Sequence, residues 1–138
     1  MRVLIDTCVV IDAMRDREPF AMASQQTFLA IDRGYCKGYI TANQLTDLHY
    51  LMHKELHNEE KTVSALRGLC TIVSILDTTS EDCLRALGSG RTDLEDSLEI
   101  ETAKREEIDY IVTRNIRDFT DSPIPVYTPE QFVAKFLK

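Results

Sequence analysis

Arg2-Val3-Leu4-Ile5-Asp6-Thr7-Cys8-Val9-Val10-Ile11-Asp12 is the stretch on which the fold turns. Its opening apolar run stops abruptly at an acid, and Arg2 to Asp6 reads as a buried strand. In an open parallel sheet, ligands bind outside the carboxyl ends of the strands, where strand order reverses. Asp6 stands at such an end. An aspartate followed by Thr7 also suits the start of a helix, so a capping role competes with a functional one.

Outward from this stretch, short apolar runs alternate with longer amphipathic ones. Tyr39-Ile40-Thr41, Thr71 to Leu76, Tyr110 to Thr113 and Val126-Tyr127 read as further strands. Thr41 and Gln44 have capping-box spacing ahead of Leu45, Leu48, Met52 and Leu56, which share one helical stripe. Thr92 and Glu95 repeat that spacing before Leu94 and Leu98. Thr128-Pro129-Glu130-Gln131 places a capping threonine, a proline and a glutamine at the start of a terminal helix bearing Phe132 and Phe136. Strands alternating with helices imply an α/β protein whose mainly parallel sheet is covered on both faces. With no internal repeat and no Gly/Ser linker, residues 1–138 read as one domain.

Sixteen Lys and Arg against 23 Asp and Glu leave a net charge of −7, which repels nucleic acid unless a metal or a local basic patch offsets it. That argues against a plain phosphate-gripping module. It agrees with a metal-dependent enzyme, which must concentrate carboxylates around its cation, and with a basic protein partner. Val3-Leu4-Ile5 is too short for a signal peptide and no run is long enough to span a membrane, so the expected location is the cytoplasm. Cys8, Cys36, Cys70 and Cys83 are scattered and read as buried or idle thiols rather than a disulfide frame.

The chemistry-bearing residues follow the strands. Asp47 lies early in the helix capped by Thr41, where interaction with the helix dipole also accounts for it. Asp93, Glu95 and Asp96 bunch at another helix start; the capping box accounts for Glu95 and the dipole for Asp93, leaving Asp96 with least structural excuse. After the fourth strand, Thr113-Arg114-Asn115-Ile116-Arg117-Asp118-Phe119 offers a hydroxyl, a phosphate-binding guanidinium, an amide and a carboxylate. His49, His53 and His57 recur at helical spacing but lack a further ligand, and with Lys54, Glu55 and Asn58 they read as a solvated face. Lys54, Lys61, Arg67, Lys104 and Arg105 read as surface pairs, and Tyr35, Tyr39 and Tyr50 as core or cleft wall. Gly88-Ser89-Gly90 is a flexible connection near Asp93.

These segments resemble a known family. Asp6-Thr7-Cys8-Val9-Val10-Ile11-Asp12 is similar to the opening "DTN" strand and helix of PIN domains, and Thr113 to Phe119 to their "TRN-x-x-DF" segment. Asp93-Leu94-Glu95-Asp96 looks like the "DFED" helix start of a bacterial subgroup, and Pro125 to Glu130 like its "P-V-x-T-P-E" tail. The resemblance implies a three-layer α/β/α sandwich on a parallel sheet of four to five strands, with a magnesium- or manganese-dependent ribonuclease site. Its acids would be Asp6, Asp47, Asp96 and Asp118. Asp47 stands where the family often has glutamate, and Cys8 where it has asparagine or serine.

Hard cations held by carboxylates stabilise charge on the entering and leaving oxygens of a phosphodiester, and without them clustered acids repel one another. On this reading Asp6, Asp96 and Asp118 bind metal, with Asp47 as ligand or water-orienting base. Thr113 and Asn115 support them, Arg114 touches substrate phosphate and Asp93 supplements the site. The resemblance further implies an RNA substrate and the toxin half of a toxin–antitoxin pair of the VapC kind, with an antitoxin and a second copy of the chain as partners. An RNA-processing nuclease of the same fold and a non-catalytic binding domain are the alternatives. A receiver domain with Asp77 as phosphoacceptor fits poorly, because Asp6 has no acidic neighbour.

Overall fold

The computed structural model describes residues 1–137. Five strands, β1 (Arg2–Ile5), β2 (Lys37–Thr41), β3 (Ser74–Leu76), β4 (Tyr110–Val112) and β5 (Val126–Tyr127), form one parallel sheet in the order β3-β2-β1-β4-β5. Between them lie α1 (Thr7–Met14), α2 (Ala21–Asp32), α3 (Ala42–Leu56), α4 (Glu59–Leu69), α5 (Ser80–Leu87), α6 (Leu94–Arg105) and α7 (Pro129–Phe136), with a 3-10 turn over Ile116–Phe119. The sequence pattern anticipated a parallel α/β sandwich, and that is the architecture. A receiver domain would place β1 between β2 and β3. Here β1 lies between β2 and β4, and Asp77 leaves the edge strand, two strands away from Asp6.

Side chains on a strand alternate between faces, and both faces of this sheet are buried. Val3, Ile5, Ile40 and Val112 pack with Val9, Phe28, Ile31, Leu48, Leu66 and Phe132 from α1, α2, α3, α4 and α7. Leu4, Tyr39 and Ile111 face the other way, onto Ile100 and Ala103 of α6 and onto Phe119 and Ile124. Each large apolar side chain so buried contributes roughly 1.5–3 kcal/mol. α2 approaches β2 so closely that a Cβ on Gly38 would come within 2.5 Å of Ile31 Cδ1. A glycine is therefore the residue that lets this layer seat.

Helix starts follow the expected capping chemistry at Thr41 with Gln44 and at Thr128 with Gln131, where both halves of the capping box are present. Two boundaries differ from expectation. β3 begins at Ser74 rather than Thr71, because the end of α4 draws 70–73 into its own turns, with the Ile72 and Val73 amides donating to Leu69 O. α6 is capped not by Thr92 and Glu95 but by Asp93, which accepts from the Asp96 amide at 3.0 Å. Glu95 is thereby free of the capping role. Among the described residues no helix is long and apolar enough to cross a membrane.

α5 is fastened to α6 by a buried ion pair. Asp82, with no exposed surface, accepts from Arg105 Nε at 2.9 Å and Nη2 at 3.0 Å, and from the Thr79 amide at 3.1 Å. Burial alone would raise its pKa, but hydrogen bonds from Arg105 and Thr79 outweigh it and bring the pKa from 3.8 down to about 2. A carboxylate with a lowered folded-state pKa stabilises the fold above its ordinary pKa and loses that contribution as the pH falls through the lowered one. The shift corresponds to about 2 kcal/mol. Asp82→Asn should therefore lower the urea midpoint at pH 7, and its deficit against the unchanged protein should shrink as the pH is taken down through the window between 3.8 and about 2. An equal deficit across that window would contradict the pairing.

Candidate metal centre

The strand order reverses beside β1, and the crevice there is closed at its base by main chain: the Asp6 amide donates to Val112 O at 2.9 Å. Asp6 ends β1 and starts α1, so strand end and helix cap are one residue. Its carboxylate is 6% exposed and fixed from three sides. Oδ1 accepts from the Thr7 amide at 2.8 Å, while Oδ2 accepts from Thr113 Oγ1 at 2.6 Å and from Cys8 Sγ at 3.4 Å. Thr113 is positioned in turn by the backbone N–H of Asn115, which donates to its hydroxyl at 3.0 Å. Burial and the adjacent Asp6 push the Cys8 thiol up to about 11, so it stays protonated and serves as a donor to Asp6.

Facing Asp6 from α6 are Asp96 and Glu99. Each of the three offers a carboxylate oxygen, and these oxygens lie within 4.8 Å of one another. Glu99 is 1% exposed, and neither of its oxygens has a hydrogen-bond partner among the described residues. Burial and the nearby Asp6 raise its pKa well above the usual carboxylate range. Asp96 is raised to about 7 by burial and then by Asp6, Asp93 and Asp118. Glu95 also rises to about 7, through partial burial and the Asp47 carboxylate beside it. A cleft of about 350 Å³ opens from this cluster, lined by Asp93, Asp96, Arg117 and Asp118 among others.

A buried acid with no donor is costly unless something compensates it. Three carboxylates converging on one point, one of them orphaned, are a hard, all-oxygen donor set of the kind that suits magnesium or manganese. The residues present therefore fit a divalent cation.

A family model for the PIN domain matches residues 2–117. The chain belongs to the PIN domain family. No curated protein matches it in sequence, but solved structures share its fold. VapBC2 of Rickettsia felis, bound to a DNA fragment from its promoter, is 21% identical with a TM-score of 0.67, over 92% of this chain and 97% of that one. DNA-bound VapBC of Salmonella typhimurium is 18% identical with a TM-score of 0.71, over 94% and 98%. Mycobacterium tuberculosis VapC20, described as a toxin cleaving the sarcin-ricin loop, is 11% identical with a TM-score of 0.70, over 88% and 95%.

Within this PIN domain the four acids singled out in the sequence occupy one end of the sheet in unequal positions. Asp6 and Asp96 share the central cluster. Asp118, exposed on the 3-10 turn, is near enough to raise the pKa of Asp96 and shares its cleft. Asp47 is set against Glu95. Asp93 both caps α6 and lines the cleft.

Arg114 is engaged elsewhere: its Nε donates to buried Asp12 at 2.8 Å, and its guanidinium lies 4.2 Å from the Phe20 ring centroid. It ties the loop after β4 to α1. Of the histidines, His49 and His53 pair with Glu59, and His57 leaves the helix at its left-handed cap, so the three do not converge.

Glu99 is the residue that sequence reasoning missed. It stands one turn after Asp96 on the same helix, and that i, i+3 spacing of two acids was the available signal. Glu99→Gln should raise the thermal midpoint in chelator at pH 7, because a carboxyl whose pKa rises on folding must take up a proton or carry a buried charge beside Asp6, and an amide escapes both costs. It should also lose most of the stabilisation that manganese gives the unchanged protein, about 2.7 kcal/mol at a hundredfold excess over Kd. Equal manganese responses in a thermal-shift assay would exclude Glu99 from the cation site.

Proposed function

We propose that this PIN domain is a magnesium- or manganese-dependent endoribonuclease, the toxin of a toxin–antitoxin pair acting in the cytoplasm. The observation that carries the reading is Glu99: a buried carboxyl with no hydrogen-bond partner among the described residues, its oxygen within 4.8 Å of those of Asp6 and Asp96, the last of which lines the cleft. Support for RNA as substrate comes from the likeness to a VapC described as cleaving the sarcin-ricin loop. Support for an antitoxin comes from the likeness to VapBC assemblies, and a net charge of −7 suits a basic partner.

In this reading Asp6, Asp96 and Glu99 would hold the cation, and Asp118, which lines the same cleft as Asp96, would be a further carboxylate available to it. The cation supplies the positive charge that offsets negative charge growing on the entering and leaving oxygens of the phosphodiester. Thr113, Cys8 and the Thr7 amide aim Asp6 and leave it little freedom to reorient. Asp47 and Glu95, set against each other beside the cluster, are the carboxylates available to take the proton from an attacking water. Burial keeps bulk water from Asp6 and Glu99, so charge on these two acts at a lower dielectric than at the surface.

Asp6→Asn keeps the side-chain shape but removes a charge. Loss of a residue that merely orients a ligand costs up to about a hundredfold, so loss of this ligand should cost at least that much in manganese-dependent cleavage of an oligoribonucleotide. Cleavage by Asp6→Asn at the unchanged rate would defeat the assignment. The toxin reading is checked separately: expression of the chain should arrest growth, and co-expression of the protein encoded beside it should relieve the arrest. An active nuclease without toxicity would instead indicate an RNA-processing role.

A further inference from the structure

An RNA strand entering a cleft walled by Asp93, Asp96 and Asp118 meets repulsion that a cation at the floor offsets only locally, so its flanking phosphates need a positive side chain. Three arginines border the site, and two are already committed. Arg91 is 14% exposed and donates from Nη1 to Glu101 at 2.8 Å and from Nε to Asp121 at 3.1 Å. Arg114 is held by Asp12 and stacked on Phe20. Arg117 lines the cleft, is exposed, and forms no ion pair or side-chain hydrogen bond among the described residues.

Its position follows from the 3-10 turn. Phe119, 2% exposed, anchors that turn in the core, and the Asp118 amide donates to Asn115 O at 3.0 Å. The turn thereby presents Arg117 and Asp118 as neighbours at the cleft, a guanidinium beside an acid of the site. A guanidinium free of protein partners keeps its donors for the oxygens of a phosphate.

We infer that Arg117, rather than Arg114, grips a backbone phosphate of the substrate strand next to the bond that is cut. The inference rests on the nuclease reading for its substrate, but binding tests it independently of cleavage. The probe is a fluorescein-labelled, mixed-sequence single-stranded oligoribonucleotide, followed by anisotropy with manganese. Comparing Asp6→Asn with the Asp6→Asn, Arg117→Ala double variant keeps the RNA intact.

The arginine substitution should weaken binding about tenfold and flatten the salt dependence by about one unit of slope, with Arg117→Lys recovering part of both. The thermal midpoint should not move, because the side chain forms no ion pair or hydrogen bond among the described residues. With Asp6 intact, Arg117→Ala as a single substitution should raise KM for cleavage with little change in kcat. No binding of the RNA by Asp6→Asn, or equal affinity and salt slope with and without Arg117, overturns the inference. RNA bound through Arg117 but left uncut by the unchanged protein would count against the nuclease reading alone.

Discussion

Mutual repulsion among Asp6, Asp96 and Glu99 is the constraint around which the rest of this molecule is organised. Burying a carboxylate without a donor costs folding free energy, and bringing like charges within a few ångströms adds to that cost. Glu99 carries both penalties, and its raised pKa expresses them. A fold selected for stability alone has no use for an acid there. On the proposed reading, a bound cation would return that cost.

The framework that holds these charges together is stiff at each contributing end. Asp6 is set by the hydrogen bond between the Asp6 amide and Val112 O, and by the Thr113 hydroxyl. α6 is packed on the sheet through Ile100 and Ala103 and is tied to α5 through Asp82 and Arg105. Arg91 straps the segment before α6 to Glu101, and Arg114 straps the loop after β4 to Asp12. Ion pairs thus fasten the elements that carry the acids. They let neither α6 nor the loop after β4 swing away to relieve the repulsion.

Much of this was legible in the chain. The alternation of Val3-Leu4-Ile5, Tyr39-Ile40, Tyr110-Ile111-Val112 and Val126-Tyr127 with helix-capping signals marks a parallel sheet, because buried parallel strands are apolar on both faces. Asp6, Asp96 and Asp118 were visible as acids following strands or opening helices. What local pattern could not carry was direction. Thr92 and Glu95 have the spacing of a capping box, yet Asp93 caps α6, and Glu95 turns to Asp47 instead. Arg114 has the chemistry of a phosphate ligand, but Asp12, 102 residues away in the chain, claims it. Glu99 lies in a helix buried on nearly every side, where periodicity no longer separates a functional acid from its apolar neighbours.

The most direct measurement is a crystal of the unchanged protein soaked in manganese, with anomalous scattering collected near the manganese edge. A single strong peak bounded by Asp6, Asp96 and Glu99, at oxygen distances of about 2.1–2.3 Å, is the predicted result. Manganese found only at surface carboxylates, with Glu99 still facing Asp6 and nothing between them, would contradict the account.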